Sequence, residues 1–396
     1  MAKTCFDDPG FLAALREMHA LGLQVTATAH TGSIPFDVLA GRLRLRWYLV
    51  PPRPRAVRVA ALALIQPLRA GPRMFKRVAT GAARLGVPHP WRRARVYASG
   101  VNRIAEVFGP GTTHAAFLTG TAGPHRKLTV QFMDARGDIR GYAKVAGTPT
   151  TQALLANEAA MLDELHAVGL HAALLPNLLL REQRRDATVL AMDTLRTPRS
   201  TCHTRLQAAH LAFLDELAAR TASARVPDGA ALLHRLRVKT HALPASLPAD
   251  WRVRLERSLQ ALATAPGLIA PRGLAHGDFT PGNTFRYRER LCVFDWEYAG
   301  HDYPADYDLI RFLFALQSLR RGDAVARCRA VESLLIRDLQ RPPRAALARI
   351  TAYLCVQALL LAGRQPEHHG QALTWEGAPA LARMLDASSA REPSLA

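Results

Sequence analysis

The chain has 396 residues, 49% of them hydrophobic and 21% charged, and 52 Lys and Arg against 32 Asp and Glu give a formal net charge of +20. That is long and apolar enough for two or three domains with buried cores, and it excludes an intrinsically disordered chain. Only five of the 52 cations are Lys (Lys3, Lys76, Lys127, Lys144 and Lys239), and no long basic run is interleaved with aromatics, so nucleic acid is not the expected partner.

The N-terminus, MAKTCFDDPGF, lacks the apolar stretch of a secretory signal. The apolar runs at 57–68 and 350–363 fall short of the ~20 residues that span a bilayer. The five cysteines are odd in number, widely spaced and without a CxxC pair, which suits a reducing compartment rather than a disulfide framework or structural zinc. The expectation is a cytoplasmic protein, with the inner membrane surface as an alternative location.

RLRLRWYLV (42–50) alternates, with Leu43, Leu45, Trp47 and Leu49 on one side and Arg42, Arg44 and Arg46 on the other. That pattern predicts a half-buried strand, broken by PPRPR (51–55). Residues 69–86 predict a basic amphipathic helix with Met74, Val78 and Leu85 near one face. Such a helix either packs on the next domain or touches an anionic membrane surface. Residues 1–95 as a whole read as a basic N-terminal extension whose chemistry the sequence does not reveal.

From residue 96 the pattern changes. HAAFLTGTA (114–122), LTVQFMD (128–134) and GYAKVA (141–146) predict a three-strand antiparallel meander. TTQALLANEAAMLDELHAVGL (150–170) predicts a long helix, capped by Thr150 or Thr151, with Leu155, Ala159, Leu162 and Leu165 as its apolar stripe. RDATVLAMDTL (185–195) predicts a further strand. Beyond 200 the chain reads as mainly helical, at 201–222, 229–242, 250–264, 305–320, 324–339, 343–363 and 377–388. Strand-like fragments occur around LAHGD and in RLCVFDW (290–296).

The chemistry-bearing residues lie in these elements. Lys144 sits inside the short apolar strand YAKV, and Glu158 lies in the first half of the helix that follows. An ion pair there would fix the ammonium to reach two phosphates of a nucleotide. HGDFTPGN (276–283) offers Asp278 as a carboxylate able to orient and deprotonate a hydroxyl, and Asn283 as a neutral oxygen ligand for a hard cation such as Mg²⁺. Asp295 emerges from the apolar strand LCVF as a second metal ligand. His276 would brace the loop, Gly277 would allow a tight backbone, and Pro281 and Gly282 would shape the turn. An HGD triplet alone means little; with Asn five residues on and an apolar strand ending in DWE it is a specific pattern.

Together HGDFTPGN, FDWEYAG, YAKV and the NEAAML stretch resemble the aminoglycoside phosphotransferase and choline kinase family, the small-molecule branch of the protein-kinase-like fold, over about residues 100 to 390. The resemblance implies an α+β bilobal fold with a small antiparallel β N-lobe at 96–195 and a larger, mainly helical C-lobe at 196–396, the N-terminal segment being additional. It implies ATP and Mg²⁺ as cofactors and a small-molecule hydroxyl as acceptor. Asp278 would be the catalytic base, Asn283 and Asp295 the Mg²⁺ ligands, and Lys144 with Glu158 the ATP-phosphate pair. The adenine would lie against the hinge at Met192, Asp193, Thr194 and Leu195, read by backbone groups. Asp306 or Asp308 would have a structural capping role, and the resemblance does not choose between them. The turn TGTAGPHRK departs from the kinase pattern, having two glycines but no GxGxxG.

The acceptor pocket is expected among the helices after 200, where a basic chain favours a neutral or anionic acceptor such as a sugar, polyol or glycoconjugate precursor over a polycation. Two other readings compete. One is a catalytically silent nucleotide-binding scaffold, against which the retention of all five site residues argues. The other is a membrane- or polyanion-associated protein governed by residues 1–95, which deletion of that segment would separate from an enzyme.

Overall fold

The computed structural model describes residues 5–40, 46–67, 70–100, 103–121, 123–184, 186–223, 226–245, 247–319, 322–363 and 377–391. They form two compact units. The first holds the described residues up to Ala167 with Ala173–His203 and Thr284–Glu297; the second holds Val168–Ala172, Thr204–Asn283 and the described residues from Tyr298 onward.

The first unit begins with helix α1 (Pro9–Ala20). Asp8 caps it, its carboxylate accepting from the Phe11 N–H at 2.8 Å, and Pro9 occupies the first turn, where no N–H is needed. There follow β1 (Gln24–Thr26), β2 (Ile34–Ala40), β3 (Trp47–Val50), α2 (Arg55–Ala61), α3 (Ala70–Leu85), β4 (Arg92–Ser99), β5 (Thr112–Leu118), β6 (Leu128–Asp134), β7 (Ile139–Ala146) and α4 (Pro149–Val168). After them come β8 (Ala173–Leu174), β9 (Leu178–Gln183), β10 (Thr188–Asp193), β11 (Thr284–Tyr287) and β12 (Arg290–Val293). Nine strands make one antiparallel sheet in the order β1-β4-β2-β3-β5-β6-β7-β10-β9; β11, β12 and β8 make a second, small sheet.

Alternation along the central strands explains why this sheet is covered on both faces. Phe117, Val130 and Phe132 pack with Phe11, Ala14 and Met18 of α1. Their neighbours Ala116 and Met133 pack with Val57 and Ala60 of α2 and Ala79 and Ala83 of α3. The expected meander is present as β5, β6 and β7, antiparallel throughout. The long helix is α4, but its cap is Thr148 rather than Thr150 or Thr151. Thr148 Oγ1 accepts from the Thr151 N–H at 3.3 Å, Thr151 Oγ1 accepts from the Thr148 N–H at 3.2 Å, and Pro149 begins the first turn.

Two expectations for the N-terminal segment need adjusting. Residues 42–45 of the alternating stretch lie outside the described residues, and the strand itself runs Trp47–Val50. Helix α3 forms as expected, yet it packs inward through Ala79, Ala82 and Ala83, leaving Met74, Val78 and Leu85 at 57%, 41% and 73% exposure. Small alanines let the helix approach the sheet closely, with Phe75 packed partly against the same cluster, while Met74, Val78 and Leu85 are on the far side.

Strand β3 pairs with β5 through Tyr48–Leu118 and Leu49–Phe117, and β4 crosses residue 95. Deleting residues 1–95 would therefore remove β1, β2, β3 and half of β4 from the sheet, together with Phe11, Met18 and Trp47 from its core. The truncated chain is expected to lose the cooperative unfolding transition of the first unit, not to report on catalysis alone. A truncated chain with an unchanged Tm in differential scanning calorimetry would show that the remaining strands stand without these contacts.

The second unit is mainly helical: α5 (Ala208–Arg220), α6 (Gly229–His241), α7 (Ala249–Leu262), α8 (Tyr307–Ala315), α9 (Ala324–Arg337), α10 (Pro343–Gly363) and α11 (Ala378–Ser389). The helix expected at 201–222 starts only at Ala208, where Gln207 and His210 form a reciprocal cap; upstream, Cys202 bridges to Phe285 in the first unit instead. Among the described residues one helix, α10, is long and apolar enough to cross a membrane by length and composition. It is the central helix of this unit, packed against α7, α9 and α11 and buried along much of its length.

Candidate active site

In the first unit, β7 carries Lys144 in register with Thr129 of β6 and Leu190 of β10. Its ammonium lies 2.7 and 2.6 Å from the two oxygens of Glu158, 2.5 Å from Asp295 Oδ1 and 3.8 Å from Glu297 Oε2. Glu158 is fully buried on α4 and also accepts from the Trp296 N–H at 3.3 Å. Asn157 Nδ2 donates to the Glu297 carbonyl at 3.1 Å, which ties the middle of α4 to the segment after β12. The expected pairing of Lys144 with Glu158 is present, and Asp295 joins it.

Two partners are not evident from the sequence pattern. Lys127, at the end of the turn TGTAGPHRK, pairs with Glu297 at 2.6 Å. Carboxylate oxygens of Glu158, Asp295 and Glu297 all lie within 4.8 Å of one another. Three carboxylates thus share two ammoniums. Burial works against the charge of Lys144, but Asp295, Glu158 and Glu297 outweigh it and hold the lysine protonated well above its ordinary range. Burial pushes Glu158 up, and the neighbouring Asp295 and Glu297 add to that effect against the pull of Lys144.

Asp295 adopts φ of +74°, a left-handed conformation that costs a non-glycine residue about 1–2 kcal/mol. Backbone strain of this kind persists where surrounding contacts impose it, and it clusters at functional sites. It turns the chain sharply after β12, with Trp296 fully buried beyond it and Asp295 itself partly open, at 30% side-chain exposure. An all-oxygen donor set with excess negative charge fits a hard divalent cation such as Mg²⁺.

In the second unit, the loop 276–283 is anchored from below. Phe279 is fully buried among Phe213 and Phe312, at ring-centroid distances of 5.4 Å to each. Asp278 points the other way. Arg311, at the middle of α8, donates to its Oδ1 from Nε and Nη2 at 2.9 and 2.7 Å, and Asn283 Nδ2 donates to Oδ2 at 3.1 Å. Asn283 Nδ2 also reaches the Asp278 carbonyl at 2.9 Å, so its amide nitrogen is turned toward Asp278 and its Oδ1 remains the group for a cation. Burial disfavours the charge of Arg311, but Asp278 raises its pKa above the ordinary guanidinium value. Arg311 was not legible beforehand, because it lies 33 residues from Asp278 in a helix that reads as ordinary.

The backbone of the loop is held as the sequence suggests. Asp278 N–H donates to His276 Nδ1 at 3.2 Å. Gly277 has φ of +78°, and a Cβ there would meet the Tyr298 carbonyl oxygen at 2.2 Å. The choice left open between Asp306 and Asp308 has a structural answer. Buried Asp308 accepts from the His276 and Gly277 N–H groups at 2.6 and 3.0 Å, whereas Asp306 pairs with Arg341 and Arg349 at 2.9 and 2.6 Å. Burial pushes the Asp308 carboxyl up in spite of those two donors.

Met192 to Leu195, the four residues expected at a hinge, end β10 and continue past it. Met192 is buried. Asp193 donates its N–H to the Asn177 carbonyl at 3.1 Å, and its carboxylate accepts from the Asn177 backbone and side chain at 2.7 and 2.6 Å. Thr194 Oγ1 accepts from the Arg196 N–H at 3.0 Å, and Leu195 is 40% exposed. Of the residues expected to act together, then, Lys144, Glu158 and Asp295 meet in the first unit and Asp278 and Asn283 in the second.

A model of the phosphotransferase enzyme family matches residues 118–347, more than half of the sequence. The chain belongs to that family. This phosphotransferase is a small-molecule kinase, and residues 1–117 lie outside the match. Its fold is similar to that of an aminoglycoside 2′-phosphotransferase IIIa in a GDP complex, at 14% identity over 68% of this chain and 89% of that chain with a TM-score of 0.43. It is also similar to a putative fructosamine-3-kinase from Thermobifida fusca YX-ER1, at 19% identity over 74% and 99% of the two chains with a TM-score of 0.42. A choline/ethanolamine kinase family protein from Mesorhizobium loti gives 17% identity over 66% and 89%, with a TM-score of 0.37. These likenesses are remote, and membership of the family rests on the sequence match. No curated protein matches the phosphotransferase.

Proposed function

We propose that this phosphotransferase moves the γ-phosphate of ATP to a hydroxyl of a small molecule: a sugar, polyol, amino alcohol or aminoglycoside-like acceptor. The observation that carries the reading is the Lys144 ammonium clasped by Glu158 and Asp295 at 2.5–2.7 Å. A lysine so held is positioned for phosphate oxygens, and phosphoryl transfer demands positioning and charge stabilisation more than covalent chemistry. Asp278 acts as base: its carboxylate orients the acceptor hydroxyl and takes the proton as oxygen bonds to the γ-phosphorus and ADP leaves. Arg311 and Asn283, one at each oxygen, fix the direction in which that carboxylate presents its lone pairs. Asn283 and Asp295 would hold Mg²⁺, which supplies neutralisation of phosphate charge. Glu158 keeps Lys144 charged and in place. Met192 to Leu195 receive the adenine.

The test is ADP release with Mg·ATP across sugars, polyols, choline-like amines and aminoglycosides. Turnover with one class, lost in Asp278→Ala, is the expected result. ATP binding without turnover on any acceptor would favour a silent nucleotide binder.

Residues 1–95 support a peripheral contact with an anionic membrane, since Met74, Val78 and Leu85 are exposed on the same helix as the exposed Arg77 and Arg84. Co-sedimentation with phosphatidylglycerol vesicles is expected, and Met74→Glu with Val78→Glu should reduce it at least several-fold. Equal binding to neutral vesicles would sink the idea.

A further inference from the structure

Strand β3 is short because Pro51 and Pro52 follow it, and proline has no N–H to extend a ladder. Among the described residues it pairs with β2 over Asp37–Ala40 and with β5 over Phe117–Leu118. Beyond Val50, Ile34–Phe36 of β2 and Thr112–Ala115 of β5 therefore have no β3 residue between them. A cavity of about 790 Å³ opens at this gap, within the size range of small-molecule sites. All the residues on its wall belong to the first unit, and none is Lys144, Glu158 or Asp295.

The wall has two chemistries. Ile34, Phe36, Phe117 and Phe132 make an apolar part, while Arg53, Arg58, Arg92 and Arg95 make a basic one. Among the described wall residues Asp37 is the sole carboxylate, and it already holds Arg95 at 2.9 Å and Arg92 at 3.7 Å. Arg58 is 4% exposed, and it donates hydrogen bonds to two neutral acceptors, His89 Nε2 at 3.1 Å and the Val87 carbonyl at 2.6 Å. His89 is itself buried, and burial together with Arg58 pushes it down to about 4, so it stays neutral beside the guanidinium. Asp37 attracts Arg58 electrostatically but is already shared with Arg92 and Arg95, and residues 38–105 add 14 Arg and one Lys but neither Asp nor Glu. Four guanidiniums, one of them buried, around a single carboxylate leave a surplus of positive charge that favours an anion from outside.

We infer that this cavity binds an amphipathic anion, with a phosphate or carboxylate head on the guanidiniums and an apolar body against Ile34, Phe36 and Phe117. The inference does not depend on phosphoryl transfer, since the cavity shares no residue with the proposed catalytic set.

Isothermal titration of the full chain with octyl phosphate, octanoate, octanol and inorganic phosphate tests it. Octyl phosphate or octanoate should bind at least tenfold more tightly than either octanol or inorganic phosphate; which of the two is tighter identifies the head group. Arg53→Glu and Ile34→Glu, both at exposed positions, should each weaken that binding about tenfold or more and leave Mg·ATP affinity and Tm unchanged. Octanol binding as tightly as the anions would mean a purely apolar crevice. Inorganic phosphate binding as tightly, or anion affinity unaltered in both variants, would mean that the charge recognised lies elsewhere. Each of these results overturns the inference.

Discussion

Asp278→Ala should lower kcat by about 10² or more while Mg·ATP still binds, because a positioned general base typically contributes 10²–10⁴. Removing the carboxylate leaves Arg311 without its anion, so the fold must be checked alongside. The cost there should be modest, since the side chains of Asp278 and Arg311 remain 27% and 31% exposed and water can reach both. Asp278→Asn sharpens the test. The amide can still accept from Arg311, so the loop stays oriented, but it cannot take a proton. If both variants lose turnover equally, proton acceptance is what matters; if Asn retains most of it, Asp278 acts chiefly by orienting the hydroxyl. Unchanged kcat in both, measured as ADP release at saturating acceptor, would remove the base assignment.

Asp295→Ala is expected to abolish Mg²⁺-dependent nucleotide binding. Lys144 keeps Glu158 at 2.6–2.7 Å, so the buried pair survives and the protein should still fold. What is lost is the most exposed carboxylate of the three-carboxylate cluster. The readout is a thermal-shift titration with ATP, with and without Mg²⁺. A ligand at 100 times its Kd stabilises by about 2.7 kcal/mol, and that increment should vanish in the variant. Ala tolerates the left-handed backbone at 295 less well than Asp, so Asp295→Asn serves as the control for strain. An intact Mg·ATP shift in both variants would show that the metal is held by other groups.

Much of this site could be read locally. HGDFTPGN and the YAKV strand name Asp278, Asn283 and Lys144, because the proposed chemistry needs particular residue types at short, fixed spacings. The meander and α4 follow from side-chain periodicities that backbone geometry imposes within a few residues. Even the capping of α4 was legible to within a turn, although Thr148 before Pro149 was the better choice on N-cap chemistry.

What the tertiary structure decided are the partners of charged groups and the faces of helices. Lys127 meets Glu297, and Asp278 meets Arg311, through chain folding that no local spacing encodes. Asp308 rather than Asp306 braces the 276–283 loop because the first turn of α8 presents it to the His276 and Gly277 amides. Helix α3 is amphipathic by sequence, but which side is buried depends on how closely it can approach the sheet, and its alanines allow the closer approach. Residues 1–95 look like an appendage until β3 is seen paired with β5. Periodicity is a property of one segment, whereas strand pairing and ion pairing are choices among distant segments, made by burial and charge balance over the whole unit.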